Sequence, residues 1–128
     1  MTTPQWVNDC LYKEFSSGGH MGSDGQAWCN AAKRWMIDFL KENFGTEDVI
    51  YRRGHYEWSM FAKIGEQWWY FSSGDVRYNI CASLLVRKAT SPQDYTGGAN
   101  MWVKYDVPNF EHSLKQLLEA GNMWTIVE

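Results

Sequence analysis

Three side chains in this sequence could perform nucleophilic chemistry if the fold brings them together: Cys29, His55 and Asp75. Cys29 lies in "GSDGQAWCN", where a helix is expected to open, and a helix N-terminus lowers a thiol pKa through its dipole and free N–H groups. His55 opens an expected strand in "RRGHYEWSM", and Asp75 closes the next one in "WWYFSSGD". That order supplies a nucleophile, a general base and an orienting carboxylate. His55 would take the thiol proton, Asp75 would hold the imidazole, and Gln26 or the Cys29 backbone N–H would stabilise an oxyanion. Each residue also has a plainer role. Cys29 sits at the edge of an apolar helical stripe, His55 beside a glycine turn, and Asp75 in the turn Ser73-Gly74-Asp75.

A helical cysteine followed by "GHYEWSMFAKIGEQWWYFSSGD" loosely resembles papain-like and transglutaminase-like cores over residues 24 to 77. The resemblance implies a thiol hydrolase or acyltransferase working through Cys29, His55 and Asp75. The chain departs from those families in its small size and in the short gap from Cys29 to His55.

Other chemistry finds less support. Gly19, Gly22 and Gly25 precede an expected helix, but their spacing is neither a dinucleotide-binding GxGxxG nor a P-loop. The run reads as a connection between two helices that meet at an angle. His20, His55 and His112 lack metal-ligand spacing, and Cys10, Cys29 and Cys81 form no CxxC pair. No metal and no cofactor are expected.

The rival to catalysis is recognition. Aromatic residues make up 16% of the chain, with Trp 8, more than a small core readily hides. Trp68, Trp69, Tyr70 and Phe71 put large rings on both faces of one strand. If Trp68 and Tyr70 face the helices, Trp69 and Phe71 face outward or toward another covering element. Together with Glu57 and a polar loop at 88–100 carrying Gln93, Asp94, Tyr95 and Asn100, they form the expected binding set. The leading expectation is a non-enzymatic protein-binding domain, an inhibitor or immunity-type protein. Phage and mobile-element inhibitors of bacterial defence are the compositional analogy.

Charge and composition narrow the partners. The net charge of −3 and the absence of a basic run along the chain disfavour nucleic acid. The opening "MTTPQWVND" has no signal-peptide pattern, no apolar run spans a membrane, and the cysteines are odd in number. A cytoplasmic protein with a protein partner is expected, its oligomeric state left open.

The elements that must position these residues follow from periodicity. Thr3 is expected to cap a first helix with Pro4 at its first position, burying Trp6, Val7, Cys10, Leu11 and Phe15. A second helix, with Ser23 and Gln26 as a capping box, carries Trp28, Ala32, Trp35, Met36, Phe39 and Leu40 down to Gly45. Residues 48–53, 55–63, 67–73, 79–87 and 101–106 read as strands, with a hairpin at Ile64-Gly65-Glu66. Asn109 is expected to cap a helix carrying Phe110, Leu114, Leu117 and Leu118, which Gly121 ends before a last strand at 123–127. The result is a single α+β domain with a mainly antiparallel sheet of five or six strands, two N-terminal helices and one C-terminal helix.

Overall fold

The computed structural model describes residues 3–15, 23–76, 83–95 and 98–127, with side chains to Gly121. The glycine run from Gly18 to Gly22, His20 and Cys81 lie outside these residues. Helix α1 spans Gln5–Tyr12 and α2 spans Ser23–Phe44. Five strands follow: β1 Val49–Arg53, β2 Trp58–Ile64, β3 Gln67–Ser73, β4 Ser83–Ala89 and β5 Met101–Lys104. Helix α3, Phe110–Val127, closes the chain. The strands form one sheet in the order β1-β2-β3-β4-β5, every neighbouring pair antiparallel. The α+β architecture read from the periodicity is present, with five strands and helices on one face of the sheet.

Local chemistry sets the element ends. Pro4, with φ −58 and ψ 147, is the N-cap of α1 rather than its first turn, and no side chain caps the helix. In α2 the residues Gly25, Trp28, Cys29, Ala32, Met36, Phe39 and Leu40 recur at helical spacing and are buried. Gly45 ends α2 at φ 67, its N–H donating to the Lys41 carbonyl at 2.9 Å, a left-handed cap that glycine adopts without a Cβ penalty. Asn109 caps α3 through its side-chain oxygen, which accepts from the His112 N–H at 3.1 Å.

Three expected boundaries move. Residues 54–57 make a turn closed by Gly54 N–H donating to the Glu57 carbonyl at 2.9 Å, so β2 starts at Trp58 instead of residue 55. Strand β4 runs on to Ala89, which shortens the polar loop. The expected last strand at 123–127 is helical, because α3 continues through Gly121. A Cβ at Gly121 would run into the Trp69 ring, so this glycine is a point of close helix–sheet approach and not a terminator.

Side-chain alternation then divides the sheet. The inner face carries Trp58, Met60, Ala62 and Ile64 of β2, Trp69 and Phe71 of β3, Leu84 and Val86 of β4 and Val103 of β5, all buried under the helices. Trp6 sits at the centre of this core. Its ring meets Trp28 and Trp35 of α2, Trp58 of β2, Tyr105 beyond β5 and Phe110 of α3, with centroids 5.5 to 6.5 Å apart. Cys10 belongs to the same cluster, its Sγ–H donating to the Trp6 carbonyl at 3.2 Å.

Candidate functional site

The thiol arrangement does not assemble as a nucleophilic centre. Cys29 lies more than one turn inside α2, where backbone N–H groups are already bonded and the dipole effect has faded. Its side chain is fully buried, and the Sγ–H donates to the Glu57 carbonyl at 3.5 Å. Burial pushes the thiol pKa up to about 12; the Arg53 guanidinium opposes that rise and the Glu57 carboxylate adds to it. His55 is exposed in the 54–57 turn and makes no hydrogen bond to Cys29. What approaches α2 is its backbone carbonyl, which packs on Gly25. Asp75 is half-buried beyond the end of β3, and Gln26 is half-buried in α2. The neighbourhood thus holds Cys29 as a neutral core residue. Among the described residues, no group of three or more His, Cys, Asp or Glu is placed to hold a metal ion.

This burial has a measurable consequence. At pH 7 a thiol of pKa about 12 is ionised in on the order of one molecule in 100,000, and the reagent must also reach it. Iodoacetamide should leave Cys29 unmodified in the native protein between pH 7 and 9 and label it fully in denaturant, as mapped by peptide mass spectrometry. Rapid native labelling dependent on His55 would restore the nucleophile.

The opposite face of the sheet presents a different site. The two-residue turn Gly65-Glu66, with Gly65 at φ 60, pairs Ile64 with Gln67, and therefore Phe61 with Tyr70 and Lys63 with Trp68. Trp68 and Tyr70 accordingly lie on the face away from the helices, while Trp69 and Phe71 have no exposure at all. The expected outward pair is thus corrected by one residue: the inward register is the one that continues Met60, Ala62 and Ile64.

The loop after β4 covers part of this outer face. The Asp94 carboxylate accepts from the Thr90 N–H at 2.9 Å and from the Thr90 hydroxyl at 3.1 Å, and the Asp94 N–H donates to the Ser91 carbonyl at 3.2 Å. Arg87 holds the loop from below, donating to the Asp94 carbonyl at 3.2 Å while its guanidinium lies 4.2 Å from the Tyr70 ring centroid. So anchored, the loop lays Tyr95 edge-on against Phe61 at 5.0 Å and Tyr70 at 5.8 Å, and Phe61 and Tyr70 lie 4.9 Å apart. Tyr95 remains 45% exposed, and Trp102 on β5 is 58% exposed. Gln93 and Asn100 are exposed on the same loop.

A polar cleft of about 350 Å³ continues this face at the β1–β2–β3 end. Arg52, Arg53, Glu57, Ser59, Tyr70 and Ser72 are among its walls. Of the expected binding residues, Tyr95 and Asp94 join the aromatic patch and Glu57 joins the cleft. Phe61, Tyr70, Arg87, Arg52 and Trp102 were not anticipated. The signal for the first two was in the sequence, because a two-residue turn at Gly65-Glu66 fixes which rings share a face.

These features define the class: a small α+β protein whose five-stranded antiparallel meander is covered by helices on one face and, among the described residues, crossed only by the loop after β4 on the other. The chain matches no protein-family model, and comparison with curated proteins and with solved structures finds no significant similarity. No helix among the described residues is long and apolar enough to cross a membrane.

Proposed function

We propose that this is a non-enzymatic protein-binding domain, of the inhibitor or immunity type, that engages its partner through the open sheet face. The observation that carries the reading is the exposed Tyr95 ring, held by an anchored loop against the half-buried Tyr70 and the buried Phe61 on the face the helices leave uncovered. Binding energy in protein interfaces concentrates in such ordered aromatic side chains, which lose little conformational entropy on contact. Trp102, exposed on edge strand β5 and paired with Leu85, extends the apolar surface across the sheet. The buried Cys29 supplies no competing catalytic centre.

The test is capture of partner proteins from lysate of the expressing cells by immobilised wild type and by a Tyr95→Ala/Trp102→Ala variant. Trp102 is mostly in solvent and Tyr95 is partly so, and neither belongs to the core under the helices, so the variant should melt within a few degrees of wild type. Loss of two anchoring rings should reduce capture by about tenfold or more. A folded double variant that captures the same proteins equally well would remove this surface from the function.

A further inference from the structure

The charges of the open face are segregated in a way the linear sequence conceals. The chain is net negative, with Lys+Arg 12 against Asp+Glu 15. Yet the outward positions of the five strands carry Arg52, Lys63, Arg87 and Lys104 and not one Asp or Glu. The nearest carboxylates stand at its margins. Glu66 is in the β2–β3 turn, Asp94 accepts from Thr90, and Glu57 lines the cleft at its Gly54 end, where a Gly54 Cβ would lie 2.8 Å from Glu57 Oε1. Arg52 and Arg53 on the same walls outnumber it.

At the cleft this segregation becomes a set of unused donors. Arg52 is exposed and has no hydrogen bond or ion pair among the described residues. Among the described residues Arg53 donates only to the Gly54 carbonyl, at 3.3 Å. Ser59 and Ser72 stand directly opposite each other on the outer face, and neither hydroxyl is engaged among the described residues. A guanidinium beside paired hydroxyls is the donor set that receives a carboxylate in a charge-assisted, two-pronged geometry.

Resting on the binding reading above, we propose that the partner surface is acidic: a partner carboxylate enters the Arg52–Ser59–Ser72 cleft while an adjoining apolar group rests on Tyr70 and Tyr95. Charge complementarity of this kind steers association and fixes the register of docking. A protein fits better than single-stranded nucleic acid, because Phe61 is 2% exposed, Tyr95 stands edge-on to both Phe61 and Tyr70, and the Arg87 guanidinium lies over the Tyr70 ring, whereas base stacking needs open ring faces.

The experiment measures binding of fluorescent random glutamate–tyrosine copolymer, polyglutamate and oligothymidylate to wild type and to an Arg52→Glu/Lys104→Glu variant. Arg52→Ala serves as a milder second variant, and thermal melts confirm folding. The copolymer should bind wild type most tightly of the three and lose affinity as salt rises from about 50 to about 200 mM. Charge reversal should weaken it about tenfold or more. No copolymer binding, or binding indifferent to charge reversal, overturns the proposal, and tighter binding of oligothymidylate assigns the face to nucleic acid instead. The same charge-reversed protein is used in lysate capture. Capture retained there but lost in Tyr95→Ala/Trp102→Ala overturns the acidic partner alone, while capture retained in both overturns the binding reading as well.

Discussion

Trp6→Ala is expected to destabilise the protein by about 3–5 kcal/mol, the range for removing a large aromatic side chain from a packed core. That is a large fraction of the roughly 5–15 kcal/mol that holds an ordinary domain together. The expectation follows from position more than from size. Trp6 is 2% exposed and is the one side chain of α1 whose ring reaches α2, β2 and the start of α3. Helix α1 is only eight residues long and lacks a side-chain cap, so tertiary packing must hold it in place. The Trp6 carbonyl also accepts from the Trp28 indole N–H at 2.8 Å, a bond that survives the substitution only if α1 stays docked. Trp6→Phe should cost much less, since it keeps a ring in the cavity and deletes a buried indole N–H that has no hydrogen-bond partner among the described residues. Urea denaturation followed by far-ultraviolet circular dichroism measures both. A loss below about 1.5 kcal/mol for Trp6→Ala would mean that the aromatic cluster is not the organising core.

How much of this was legible beforehand depended on the range of the physics involved. Helix stripes, the Asn109 cap, the left-handed Gly45 and the β2–β3 hairpin are set by neighbours a few residues away, and each appears at or near its expected place. The face of β3 was not local. With rings at every position from Trp68 to Phe71, alternation of polarity could not choose between registers. Pairing with β2 decides it, because Lys63 and Ser59 must leave the core and take Trp68 and Ser72 with them. Charge segregation was hidden for the same reason. Arg52, Lys63, Arg87 and Lys104 are far apart in sequence and converge only when four hairpin connections stack their strands. The start of α2 was legible in Ser23, and what the reactivity expected of Cys29 overlooked was how far from that start the thiol lies and what covers it. Starting at Ser23 puts the thiol beyond the field of the helix end and under the 54–57 turn.

The glycines were the most misleading local signal, and Gly25 gives the second large effect. Alanine in a helix interior normally stabilises relative to glycine by about 1 kcal/mol. At Gly25 the sign should reverse. A Cβ there would run into the His55 backbone carbonyl and the Tyr56 ring. Neither obstacle yields easily: Tyr56 is 4% exposed, its hydroxyl donates to Asp24 Oδ1 at 3.0 Å, and its carbonyl accepts from the Val76 N–H at 3.1 Å. Helix α2 and the 54–57 turn would have to separate, dragging the Cys29–Glu57 contact with them. Gly25→Ala should therefore destabilise by about 1–3 kcal/mol, the usual cost of overpacking. Gly74→Ala is the control, since a Cβ there meets nothing and its backbone carries no positive φ; it should stay within about 0.5 kcal/mol of wild type. Thermal melts of the two variants decide the matter. A Gly25→Ala protein that melts above wild type would show that α2 does not seat on the turn at this residue. The glycine would then have to be explained by the loop before it, and not by the contact after it.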